Sequence, residues 1–307
     1  MSKVYKKVPN NFSEIEQFLI IEASQIRDQF YTSEKHYFYD TCSFIHHSNA
    51  KSNSSIIEFI KLHGANIIIT RTVLMELSSN NGDIDQVQVD YFRKINENGI
   101  SILLLDEENS LGIIKEALNI NSEDANKLLG YAIKEVSKSK TAINNVIKEL
   151  PEILKSKILS SSPGSEDNYE RFFKFSREQK CEGDSLAEEL ILILIVILTK
   201  IPIGKYIILS DDLKIRNHVI SIRQYIEKQH SVRAPMQLTT SRLVYEMHRK
   251  QILTSTNEMM EILDASSHGN IKVYCMGEED IQLVRKLYTK EELLNRIITE
   301  SNFSVAH

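Results

Sequence analysis

Ile67-Ile-Ile-Thr-Arg-Thr-Val-Leu-Met-Glu-Leu77 is the stretch that decides the fold. Three consecutive isoleucines, with no polar alternation, are the pattern of a strand buried on both faces of a parallel sheet. The spacing then turns helical over 72–79. The same strand-into-helix step recurs. A short aromatic strand over 36–39 ends at Asp40, and further strands are expected over 100–105 and 205–209. Helices are expected over 54–63, closed by Gly64, and over 86–96 and 213–229. Alternation of this kind predicts an α/β fold, a three-layer α/β/α arrangement around a central, mainly parallel sheet.

Outside this frame, 11–30 has helical spacing and 1–35 reads as an N-terminal helical segment. The stretch 109–159 reads as helical, 160–168 as a loop, and 183–200 as a central apolar helix. Helices are expected over 239–252, 257–265, 278–287 and 290–300, with one late strand over 271–275.

Composition narrows the classes. With 42% hydrophobic and 26% charged residues the chain can bury a sizeable core. A net charge of −5 confines any anion-binding face to local patches, with Lys3–Lys7, Lys134–Lys140 and Arg242–Lys250 as candidates. Three cysteines without paired spacing argue against a disulfide framework or a zinc site. No apolar stretch follows the basic N-terminus, and the run over 190–199 is too short to span a bilayer. A cytoplasmic protein without membrane partners is the expectation.

Four acidic residues fall at strand ends or helix starts: Asp40, Glu76, Asp184 and Asp212. Carboxyl ends of parallel strands converge on one edge of the sheet, where α/β sites form. Buried carboxylates repel one another and need a cation. A hard divalent ion, Mg²⁺ or Mn²⁺, takes oxygen ligands of this kind. Asp40 and Asp184 also stand where helix-capping residues belong, so capping is the competing role. Neighbours in a strand face opposite ways, so only one of Asp211 and Asp212 is expected to face the cleft.

In order and in context, the four segments resemble the PIN-domain nucleases. The carrying residues are Tyr39-Asp-Thr-Cys-Ser-Phe-Ile45, Thr72-Val-Leu-Met-Glu-Leu77, Asp184-Ser-Leu-Ala-Glu188 and Ser210-Asp-Asp212. The resemblance covers roughly 36–232. It implies a helical insertion at about 107–180 and leaves 233–307 as a mostly helical C-terminal extension without a family reading. It implies an endonuclease, with Asp40, Glu76, Asp184 and Asp212 catalytic and Asp40, Asp184 and Asp212 nearest a Mg²⁺ or Mn²⁺ ion. Glu76 is left to ligate directly or through water, and Ser210 and Thr41 to orient carboxylates.

RNA as substrate, rather than DNA, rests on the resemblance, as does a toxin, defence or stress-response role with a protein regulator or antitoxin, as monomer or oligomer. Arg71, Lys214 and Arg216 are the nearest candidates for binding substrate phosphates. Cys42 reads as a buried small hydrophobe and His46 and His47 as surface residues; where Asp184 only caps its helix, Glu188 reads as part of a solvated turn. The rivals are a catalytically silent PIN-like scaffold that binds nucleic acid or protein, and a flap-type DNA nuclease with an arch over its site.

Overall fold

The isoleucine run lies in a strand, Ala65–Thr70, whose every residue is buried. The computed structural model describes residues 3, 5–138, 141–201, 203–230, 236–277, 280 and 282–306. Six strands form the centre: β1 Leu19–Ile20, β2 Lys35–Tyr39, β3 Ala65–Thr70, β4 Ile102–Leu105, β5 Lys205–Leu209 and β6 Met236–Leu238. Their order is β1-β4-β3-β2-β5-β6, and every pairing is parallel. The sheet is thus wholly rather than mainly parallel.

The topology positions the site. From β2 the chain steps to β3 and β4 on one side, then crosses to β5 on the other, where Tyr39 pairs with Leu209. The strand order reverses between β2 and β5. In open parallel sheets ligands bind outside the carboxyl ends of the strands at such a reversal, and Asp40 and Ser210 are the first residues beyond those two strands.

Helices cover both faces. Thr41–Asn49, Asn53–Leu62, Gln86–Glu97, Thr240–Arg249 and Thr256–Ser266 pack together as one group. Ala23–Thr32, Ser110–Leu118, Ser122–Val136, Leu186–Leu198 and Ile215–His230 form the other. Leu186–Leu198 is the central apolar helix: from Leu190 to Leu198 no residue is more than 2% exposed. The long connection from β4 to β5 also carries helices Ala142–Glu149, Glu152–Leu159 and Asn168–Glu178. No helix among the described residues is long and apolar enough to cross a membrane.

Two expected helices need correction, and one strand joins the sheet without a sequence signal. The N-terminal helix over 11–30 is broken into Phe12–Glu16 and Ala23–Thr32, because Leu19 and Ile20 pair with Ile102 and Leu103 as strand β1. Apolar residues there fit a helical spacing, but the free edge of β4 takes them. Met236–Leu238, too short to signal a strand, completes the sheet beside β5.

The helix expected over 278–287 is instead partly strand β8, Val284–Tyr288. It pairs antiparallel with β7, Ile271–Met276, which also pairs with β9, Ser304–Ala306. Glu278, Glu279 and Ile281 lie outside the described residues. In β8 the exposed residues alternate with more buried ones, the period of a strand; sheet pairing overrides a helical spacing that the same residues also satisfy.

One close approach generates a prediction. Gly130 lies inside helix Ser122–Val136, where an added Cβ would collide with the backbone carbonyl of Ile158 in the neighbouring helix. On an open helix Gly→Ala stabilises by ~1 kcal/mol. Here Gly130→Ala is expected to destabilise by about 1–3 kcal/mol, as overpacking does, and to lower Tm. An unchanged or raised Tm would show that the two helices do not meet this closely.

Candidate functional site

Asp40 follows β2 directly and is 0% exposed. It caps helix Thr41–Asn49, with Oδ1 accepting the Ser43 N–H at 2.6 Å. Oδ2 is buried without a well-formed hydrogen bond. Burial pushes the Asp40 pKa up to about 7, although the Ser210 hydroxyl and the Ser43 N–H favour its charged form. Both roles considered from the sequence are therefore present in one residue: one oxygen caps, the other is left over.

A cleft of about 430 Å³ opens on this edge, lined among others by Thr41, Cys42, Glu76, Lys180, Asp184 and Glu188. Glu76 sits one turn into helix Arg71–Leu77. It accepts a hydrogen bond from the Thr41 hydroxyl and pairs with Lys180 at 2.7 Å. Asp184 also contacts Lys180; its Oδ2 accepts the Cys181 N–H at 2.7 Å and its Oδ1 the Leu186 N–H at 3.1 Å.

Glu188 is the acidic residue that sequence reasoning missed. It is no solvated turn residue: its Oε2 is buried and unpartnered. Burial first, then the charges of Asp40 and Glu76, push its pKa to about 8. A signal was present. An acidic pair opens a helix that is otherwise wholly apolar, so neither acid can simply face water. The other member, Glu189, accepts the Ala142 and Ile143 N–H groups and the Ser185 hydroxyl.

Lys180 was missed as well. Its ammonium lies between Glu76 and Asp184, and the Tyr5 ring sits 5.6 Å away. Burial opposes its charge, but Glu76 and Asp184 outweigh burial and hold the pKa above its ordinary value.

The fourth expected acid stands apart. Asp212 lines an adjoining cleft of about 270 Å³ with Gly183, Asp184 and Lys214. Its Oδ1 accepts the Lys214 N–H at 2.8 Å, which closes the turn leading into the next helix. Ser210 helps shape that turn by accepting the Asp212 N–H at 3.2 Å. Asp211 faces elsewhere. It accepts the Thr240 N–H and hydroxyl, both at 2.7 Å, and lies 3.3 Å from His46 Nδ1. Burial opposes its charge, but these hydrogen bonds prevail and hold its carboxyl below the usual range.

The expected phosphate-binding cations divide. Lys214 is exposed beside Asp212. Arg71 is a correction: it is only 7% exposed, pairs with Asp106 at 3.3 Å and lies over the Phe12 ring. As the first residue of its helix it meets Asp106, the first acid after β4. Arg177 binds the same acids, Asp106 at 3.2 Å, Glu107 at 2.8 Å and Glu108. Arg216 lies on the Tyr274 ring at 3.7 Å, against the C-terminal sheet.

Other readings also change. Cys42 is an exposed residue of the cleft wall, its thiol pKa pushed up to about 12 by partial burial and neighbouring carboxylates. His47 is buried between Tyr39 and Thr240. The basic clusters mostly serve the fold. Lys7 pairs with Glu108, Lys134 donates to the Leu159 carbonyl, and Lys138 pairs with Glu135. Arg242 and Arg249 donate to carbonyls near the C-terminus. Lys140 lies outside the described residues.

Among the described residues, no three His, Cys, Asp or Glu side chains are already arranged around one point as metal ligands. The donor set nevertheless fits a hard ion. Asp40 Oδ2 and Glu188 Oε2 are buried carboxylate oxygens without partners, and octahedral Mg²⁺ needs only one or two direct carboxylates beside its waters. Comparison of the chain with family models, curated proteins and solved structures finds no match.

The raised values set a pH dependence. In EDTA the folded chain holds protons on Asp40 and Glu188 up to about pH 7 and 8, whereas the unfolded chain releases them near 3.8 and 4.5. The stability these groups contribute is full below about pH 4 and is lost as pH rises through the folded values, at up to about 1.4 kcal/mol per pH unit for each group. Asp40→Asn/Glu188→Gln should therefore lose less stability than wild type between about pH 5 and about pH 8 in urea melts. Parallel stability profiles would mean that both carboxyls titrate normally.

Proposed function

We propose that the chain is a cytoplasmic Mg²⁺- or Mn²⁺-dependent nuclease that hydrolyses phosphodiester bonds in RNA. The observation that carries the reading is a pair of buried carboxylate oxygens without a well-formed hydrogen bond or ion pair: Asp40 Oδ2, at the point where the strand order reverses, and Glu188 Oε2, close enough for the two charges to oppose each other. Asp40 and Glu188 would hold the ion, with Glu76 at its side. When bound, the ion neutralises developing charge on the phosphate and acidifies a bound water.

The chain's own residues do the rest. Thr41 fixes the Glu76 carboxylate and Lys180 neutralises Glu76 and Asp184. Lys214, at the adjoining cleft, offers a cation to a neighbouring phosphate. This set departs from the one the resemblance implied: Glu188 takes the place of Asp212, and Asp184, its oxygens engaged, moves behind Lys180. The choice of RNA over DNA, and a role in defence or stress response under a protein regulator, rest on the likeness to PIN-domain nucleases.

A second reading has its own support. An ammonium already lodged among the carboxylates also suits a silent scaffold that binds nucleic acid or protein without cutting. One experiment separates the two. Labelled single-stranded RNA and DNA are incubated with the purified protein in Mn²⁺ or EDTA, beside Asp40→Asn. The nuclease reading expects RNA cleavage in Mn²⁺ only, reduced by roughly 10²-fold or more in the variant, as when one charge-stabilising group is removed. Binding without cleavage in Mn²⁺ selects the scaffold; cleavage of DNA alone selects the flap-type reading.

A further inference from the structure

The environment of Lys180 bears on how many ions the cleft can take, given the metal-dependent reading above. Nucleases that use two ions place them ~4 Å apart and clamp both the attacking and leaving oxygens. Each ion needs carboxylate donors. Glu188, Glu76 and Asp184 line the cleft, Asp40 is fully buried next to the wall residues Thr41 and Cys42, and Lys180 stands between Glu76 and Asp184.

Four oxygens surround the Lys180 ammonium. They belong to Glu76 at 2.7 Å, to the Asp184 carboxylate, to the Cys181 carbonyl at 3.1 Å and to the Asp184 carbonyl at 3.4 Å. The side chain is 2% exposed, and the Tyr5 ring lies beside it. This is an oxygen-lined cation position already filled by the chain. Displacing the ammonium would leave a buried charge without partners, which is strongly unfavourable. Two backbone N–H groups bind the Asp184 oxygens as well, so Asp184 has little left for a metal while Lys180 is seated. By contrast, Asp40 Oδ2 and Glu188 Oε2 have no such partner.

We propose that Lys180 stands in for a second metal ion: one divalent ion binds at the cleft wall between Glu188 and the buried Asp40, and the lysine ammonium supplies the second positive charge beside the phosphate. The inference rests on the metal-dependent reading, and counting ions tests the two separately. Mn²⁺ bound at saturation is measured by electron paramagnetic resonance and by calorimetry, for wild type, Lys180→Met, Lys180→Arg and Asp40→Asn, with circular dichroism to check folding.

The expected result is one ion in wild type and in Lys180→Arg, and none at the cleft in Asp40→Asn. Lys180→Met should take up a second ion, and its Tm should rise more steeply with Mn²⁺ than that of wild type. Two ions in wild type, or a folded Lys180→Met that still binds one, would overturn the inference while leaving a metal site intact. No Mn²⁺ binding by folded wild type would overturn the metal-dependent reading itself, and the inference with it. Should Lys180→Met fail to fold with or without Mn²⁺, the wild-type count decides: one ion upholds the inference and two overturn it.

Discussion

A carboxylate with no exposure to water, Asp40, stands at the end of the central strand of a parallel sheet. The sheet puts it there: Tyr37, Phe38 and Tyr39 before it are all buried, and Tyr39 is tied to His47 and Tyr91 through its hydroxyl. A buried charge is costly unless it is paired. Elsewhere the chain offsets its clustered acids with side chains of its own. Arg177 binds Asp106, Glu107 and Glu108, and Lys180 binds Glu76 and Asp184. For Asp40 and Glu188 no ion pair is formed among the described residues, and burial raises their pKa values unopposed by one. The cation that this corner calls for is the core of the functional reading.

The same arrangement explains why capping and ligation do not exclude each other. A carboxylate has two oxygens, and the cap uses one. At Asp40 the second is buried without a well-formed hydrogen bond, whereas Asp184 has both engaged by N–H groups and the ammonium. Two acids with the same sequence signature, aspartate at the start of a helix, thus have different capacities for an ion. The difference lies in Lys180, which stands four residues before Asp184 across the turn between helices Asn168–Glu178 and Leu186–Leu198, a turn that sequence spacing does not reveal.

Much of the fold was legible because its strands are continuous apolar runs. Ile67–Ile69 can only be buried on both faces, and the helix of Leu190–Leu198 can only be central. What escaped was decided by partners distant in the chain. Leu19 and Ile20 form a strand because β4 has an open edge, and Val284–Tyr288 because β7 does. In the site, Asp40 and Glu76 were readable from their place after strands. Glu188 was hidden by the assumption that acids near a helix start are solvated. Arg71 differs from its expected role because Asp106, the acid just after β4 that pairs with it, could not be placed beside it from sequence. Asp212 was placed at the correct strand end, but its carboxylate closes its own turn.

The central claim is that the reversal point of the sheet is a divalent-ion site. Anomalous diffraction from crystals equilibrated with Mn²⁺ tests it most directly. The account predicts an anomalous peak bonded to Asp40 Oδ2 and Glu188 Oε2, with Lys180 still seated between Glu76 and Asp184. An ordered cleft with no peak at saturating Mn²⁺, or peaks only on the outer surface, would contradict it.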